Sequence, residues 1–151
     1  MPFIVANRKL SPAGLARRFG EVQPVDVTSR GVQPWVRFSP FYPHGGIPVP
    51  LSPGHVGASV EGIWQGLKVF AGVGIDLNTI ANATAKGLKR TERANGPVQG
   101  HQAGIDGDHL LTYAESRCLI YLPAYRWVLE HCLKEELSAL AALGEDRTVA
   151  L

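Results

Sequence analysis

Between residues 31 and 57 the chain carries proline at 34, 40, 43, 48, 50 and 53 and glycine at 31, 45, 46, 54 and 57, so no regular helix can run through it. Trp35, Phe38, Phe41 and Tyr42 are interleaved with these breakers. Disordered linkers are poor in aromatic residues, so this stretch reads as an ordered loop packed on its own side chains. Long ordered loops in small domains usually carry function. The prolines narrow the unfolded ensemble, which makes the loop a preformed wall and not a mobile lid. Its aromatics either seal the core or offer a flat surface on which a planar base stacks. Trp35, Phe38, Tyr42 and His44 are the candidate wall residues.

The flanks of this loop supply the regular structure. Phe3-Ile4-Val5-Ala6 suits a buried strand, and Ser11-Pro12 is an N-cap followed by proline at the first helical position. Leu15, Ala16 and Phe19 form the inward stripe of that helix, Gly20 stops it, and Val22 to Thr28 reads as a second strand. If both strands share a sheet, a right-handed parallel crossover is expected. With 151 residues, 45% of them hydrophobic, the chain is long enough for one domain with a real core, residues 1–151.

Residues 59–70, Ser-Val-Glu-Gly-Ile-Trp-Gln-Gly-Leu-Lys-Val-Phe, carry the densest chemistry. Read as one helix, they place Glu61, Gln65 and Lys68 at i, i+4 and i+7 on one face. Val60, Ile63, Trp64, Leu67 and Phe70 then form the apolar side. A carboxylate among such bulky neighbours is a candidate for a shifted pKa and for general acid or base work. The alternative is a satisfied structural acid bonded to loop amides from 38–48.

Downstream, Asp76 or Asn78 caps a turn, and residues 79–94 read as a helix with Lys86, Lys89, Arg90 and Arg93 on one basic face. That face is either a solvated surface or an anion site. Residues 95–109 read as a flexible loop. Its His101, Asp106, Asp108 and His109 do not have the spacing of a metal site. From Leu110 to Leu143 the leucines recur at helical spacing, with Pro123 opening a second helix. Arg117, Tyr121, Tyr125, Arg126 and Trp127 cluster near that junction, where buried tyrosines and arginines need polar partners such as Glu61 or a ligand. Gly144 to Leu151 read as a frayed end. Cys118 and Cys132 fall several helical turns apart, too far for a disulfide. A net charge of +2 argues against a dedicated nucleic-acid binder, and no apolar run approaches the ~20 residues of a spanning helix. A soluble cytoplasmic protein is the expectation, with no membrane contact.

Phe38-Ser39-Pro40-Phe41, a proline-rich approach, and then the 59–70 segment resemble the signature of the NADAR (YbiA-like) family. There a Phe-Ser-Asn-Phe element precedes a helix reading Ser-Glu-His-Tyr-Phe-Gln-Ala-Gln-Lys-Phe. The acid, the aromatic, the amide and the lysine stay in register over about residues 38–70. Gly62 stands where the family has histidine, Pro40 where it has asparagine, and its C-terminal Trp-Gly and Asn-x-Leu-Gly elements are absent before Leu151.

The resemblance implies an N-glycosidase acting on a phosphorylated ribosyl or nucleotide-like substrate, either an early riboflavin-pathway intermediate or ADP-ribose linked to a nucleobase, with no cofactor and no metal. Cleaving a ribosyl C–N bond builds positive charge on the sugar and negative charge on the departing base. Glu61 is the expected catalytic carboxylate, with Gln65 and Lys68 orienting ribose hydroxyls or a phosphate. Trp35, Tyr42 or Trp64 would stack the base. Lys89, Arg90 and Arg93 would hold the phosphate, and Arg117 and Tyr121 would line the substrate side. The expected fold is α+β: one mainly helical domain with a small N-terminal sheet and the long loop roofing a cleft on the 59–70 helix. The alternative function is a non-catalytic nucleotide or ADP-ribose binding module. A third, a protein-interaction module, predicts a large exposed apolar patch.

Overall fold

The computed structural model describes residues 3–151 and has an α+β fold. In chain order its elements are β1 (Phe3–Ile4), α1 (Pro12–Phe19), β2 (Gln23–Pro24), β3 (Ile47–Pro48), β4 (Val56–Gly57), α2 (Val60–Gly66), β5 (Lys68–Phe70) and α3 (Leu77–Ala81). There follow α4 (Glu92–Asn95), β6 (Val98–Gln102), β7 (Leu110–Leu111), α5 (Tyr113–Ser116), α6 (Leu122–Cys132), α7 (Lys134–Asp146) and β8 (Val149–Ala150). The chain divides into two compact units, one formed by the segments up to Ser39 and from Leu133, the other by residues 40–132.

In the first unit α1 begins and ends as its sequence dictates. Ser11 Oγ accepts from the Gly14 N–H at 3.1 Å, Pro12 opens the helix, and Gly20 closes it at φ +77°. Its inward stripe is narrower than expected: Leu15 is buried and Phe19 half-buried, but Ala16 faces out. The strands are two residues long where four and seven were expected, and both run parallel to β8 in a sheet ordered β1-β8-β2. The C-terminal segment is therefore the central strand and not a frayed end, with Val149 fully buried. Two residues show no alternation, so only pairing across the sequence reveals such a strand.

In the second unit the proline-rich loop, from Pro40 on, closes through the antiparallel β3–β4 pair. The earlier part of the loop lies in the first unit and carries a 3-10 turn, Trp35–Phe38. The expected 59–70 helix stops at Gly66, and Lys68 begins β5, which pairs antiparallel with β6. The stretch read as a flexible loop at 95–109 thus contains a strand, and β6 pairs in turn with β7. Gly100 sits at φ +149°, where a Cβ would lie 2.6 Å from the Leu111 carbonyl oxygen, so the close crossing needs glycine.

The expected 79–94 helix does not form. Asn82 Oδ1 accepts from both the N–H and the hydroxyl of Thr84, at 2.9 and 2.6 Å, and Ala85 and Gly87 take positive φ. This side-chain turn competes with helix continuation, and α3 and α4 remain as short pieces. Pro123 does not start a separate helix either. The chain stays helical from α5 through a π turn at Arg117–Tyr121 into α6, with Leu122 N–H bonded to the Arg117 carbonyl. A π turn absorbs the missing proline donor without a break, and α6 runs on to Cys132.

Candidate functional site

Every residue of α2 is buried. The helix is capped by Ser59, whose Oγ accepts from the Gly62 N–H at 2.9 Å, and it is tied to the proline-rich loop by Glu61 N–H donating to the Pro40 carbonyl at 2.9 Å. Two glycines one turn apart let α3 pack directly on its backbone. A Cβ on Gly62 would lie 2.9 Å from the Thr79 carbonyl oxygen, and one on Gly66 would lie 2.3 Å from Ile80 Cγ1. Gly62, where the resembling family carries histidine, is thus explained by a close helix contact.

Glu61 is 8% exposed and Gln65 7%. Gln65 Nε2 donates to Glu61 Oε1 at 2.8 Å, and Lys68 Nζ donates to Gln65 Oε1 at 2.9 Å. Lys68 therefore joins the row from the start of a strand and not from the third turn of a helix. Burial pushes its ammonium down from the ordinary lysine value; the nearby Glu61 opposes this and Arg90 adds to it.

Trp64, on the same helix, is the hub of a ring cluster. The His101 ring lies 3.8 Å away centre to centre, while Tyr121 and Tyr113 stand nearly perpendicular at 5.4 and 6.0 Å. His101 pairs across the sheet with Lys68. Burial, aided by Lys68, lowers its pKa to about 4 against a bond to the Trp64 backbone, so the ring is neutral near pH 7. Its Nε2 is buried with no hydrogen-bond partner. Tyr121 is pushed up to about 12 by burial and by Glu61, while the Arg117 guanidinium, 4.5 Å from its ring centre, pulls the other way.

The candidate residues Glu61, Gln65, Lys68, Trp64, Tyr121 and Arg117 thus share one neighbourhood in the second unit. Tyr42 and His44 form a tilted ring pair at 4.7 Å in that unit's loop. Trp35 and Phe38 belong to the first unit, where they stack at 6.4 Å. Lys89 and Arg93 are exposed, Arg93 on α4. Arg90 is committed to the protein: Nη1 donates to the carbonyls of Gln65, Gly66 and Lys68 at 3.1, 3.4 and 2.7 Å, and Nη2 to that of Gly74 at 2.6 Å. The common basic face of 86–93 is lost with the helix that would have carried it. His101 and Tyr113 were missed as site residues. The apolar alternation that marks a strand is absent from Val98-Gln-Gly-His-Gln, whereas the Thr112–Glu115 capping box that sets Tyr113 on α5 was legible.

Among the described residues no three metal-binding side chains converge, and no helix is long and apolar enough to cross a membrane. His55 and His109 each face one aspartate, Asp106 at 3.5 Å and Asp108 at 2.9 Å.

No curated protein and no solved structure matches the chain significantly. Residues 7–151 match the Family of unknown function (DUF6939), and the chain belongs to that family.

Proposed function

We propose that this chain hydrolyses the N-glycosidic bond of a phosphorylated ribosyl or nucleotide-like substrate, of the riboflavin-intermediate or ADP-ribose type, in the cytoplasm. The observation that carries this reading is the row Glu61, Gln65, Lys68, in which a buried carboxylate and an ammonium are joined through one amide beside the Trp64 ring cluster. A carboxylate at the anomeric carbon stabilises the growing oxocarbenium charge and takes a proton from the attacking water. Water then adds to C1 of the sugar, the C–N bond breaks with its electron pair going to the base nitrogen, and the proton that Glu61 took from the water passes through solvent to that nitrogen. Glu61 fills the carboxylate role, Gln65 orients it, and Lys68 places a positive charge where a substrate oxygen carries negative charge. The resemblance over residues 38–70 to the NADAR family supports the same chemistry, because its acid, amide and lysine are the three residues in the row.

The second reading is a binding module without turnover, favoured by the capture of Glu61 Oε1 by Gln65. Incubating the protein with a panel of ribosylated metabolites, and following free base and pentose phosphate by mass spectrometry, separates the two. Release of both supports hydrolysis; retention of an intact bound ligand supports the module.

A further inference from the structure

Arg90 sits between α3 and α4 and touches the site twice. Its main-chain N–H donates to Gln65 Oε1 at 3.1 Å, alongside the 2.9 Å bond from Lys68 Nζ. A carbonyl oxygen has two lone pairs, so both are now filled. Turning the amide over would set its NH2 against two donors and its oxygen against a carboxylate. Only one orientation of Gln65 is therefore compatible with this pocket, the one that donates to Glu61.

The guanidinium does the complementary work. Its four acceptors lie at the C-terminal end of α2, at the start of β5 and in the turn after it. Carbonyls at a helix C-terminus lack partners within the helix and carry the negative end of its dipole, which suits a cation. The guanidinium carbon also stands 5.0 Å from the Phe70 ring centre. A lysine is a single point charge and cannot span carbonyls on two sides, whereas the planar fork of arginine does.

We infer that Arg90 is a positioning residue of the Glu61 site, holding the Gln65 amide and the α2-to-β5 corner so that Gln65 donates to Glu61 and Lys68 returns beside it; this rests on the site reading above. Arg90 acts through Gln65 and touches no substrate.

The test uses the full chain labelled with 15N, as wild type and as Arg90→Ala, Arg90→Lys and Arg90→Gln. The side-chain amide signals of Gln65 are assigned by their loss in Gln65→Leu. In folded Arg90 variants, exchange of the Gln65 amide protons should rise at least ~10-fold. Guanidinium ion at low millimolar concentration should slow it again in Arg90→Ala, where sodium chloride of equal ionic strength does not. If the wild type hydrolyses a substrate, the variants should lower kcat with KM little changed. Unmoved Gln65 amide signals in a folded Arg90→Ala protein would overturn the inference. So would loss of the fold in all three variants, which would make Arg90 a structural residue alone. A wild type that hydrolyses nothing sinks the hydrolase reading, while the amide exchange still decides the role of Arg90.

Discussion

Gln65 Nε2 lies 2.8 Å from Glu61 Oε1, one turn apart on a helix with no exposed residue. The carboxylate is thus held by a neutral donor, with the ammonium of Lys68 one hydrogen bond further along. The amide fixes the direction in which the carboxylate points, and Lys68 reaches the row through Gln65 and not by a direct bond to Glu61.

Glu61→Gln should keep the fold and lower turnover by at least ~100-fold, the lower end of what a positioned general base supplies. Single-turnover kinetics on a substrate found in the metabolite panel check this. Near-normal rates in the folded variant would remove Glu61 from the mechanism.

Gly66→Ala should cost about 1–3 kcal/mol, the range of an overpacked core, because the new methyl would lie 2.3 Å from Ile80 Cγ1 and 2.9 Å from the Asp76 carbonyl oxygen. Gly72→Ala is the control, with no atom within 4 Å of its new Cβ. Urea midpoints compare the two. Equal midpoints would mean that α3 can move off α2 at little cost.

His101 is held neutral to about pH 4, below its ordinary value of 6.5. Between those values the unfolded chain binds the extra proton and the native one does not. Its contribution to stability is therefore full above about pH 6.5, falls with pH through this window, and is gone below about pH 4. Thermal unfolding from pH 7.5 to 4 should show a shallower acid loss in His101→Gln than in wild type. Parallel curves would contradict the neutral, buried assignment.

Lys89 and Arg90 should now separate. Lys89 is exposed, whereas the Arg90 guanidinium is engaged by four carbonyls. If Lys89 meets a substrate phosphate, Lys89→Ala should weaken a phosphorylated ligand roughly 10-fold more than its dephosphorylated counterpart, the scale of one charged hydrogen bond. Arg90→Ala should leave the affinity for both little changed, because its guanidinium is spent on main-chain carbonyls. Calorimetry with the two ligands measures each ratio, and a Lys89→Ala effect independent of phosphate would return Lys89 to the solvated surface.

Features written in a few neighbouring residues were legible by themselves. Ser11, Pro12 and Gly20 delimit α1, Ser59 starts α2, and the one-turn spacing of Glu61 and Gln65 sets them side by side. Caps and helical spacing act over three or four residues, so the local sequence determines them. The breakers of 31–57 likewise excluded a regular helix before any fold was known. Tertiary structure decided the rest. Lys68 leaves the helix because β5 pairs with β6, Arg90 turns inward onto carbonyls of α2 and β5, and Val149 becomes a central strand by pairing with residues far from it in sequence. Each of these outcomes depends on partners tens of residues away, and two- and three-residue strands carry no period from which such partners can be read.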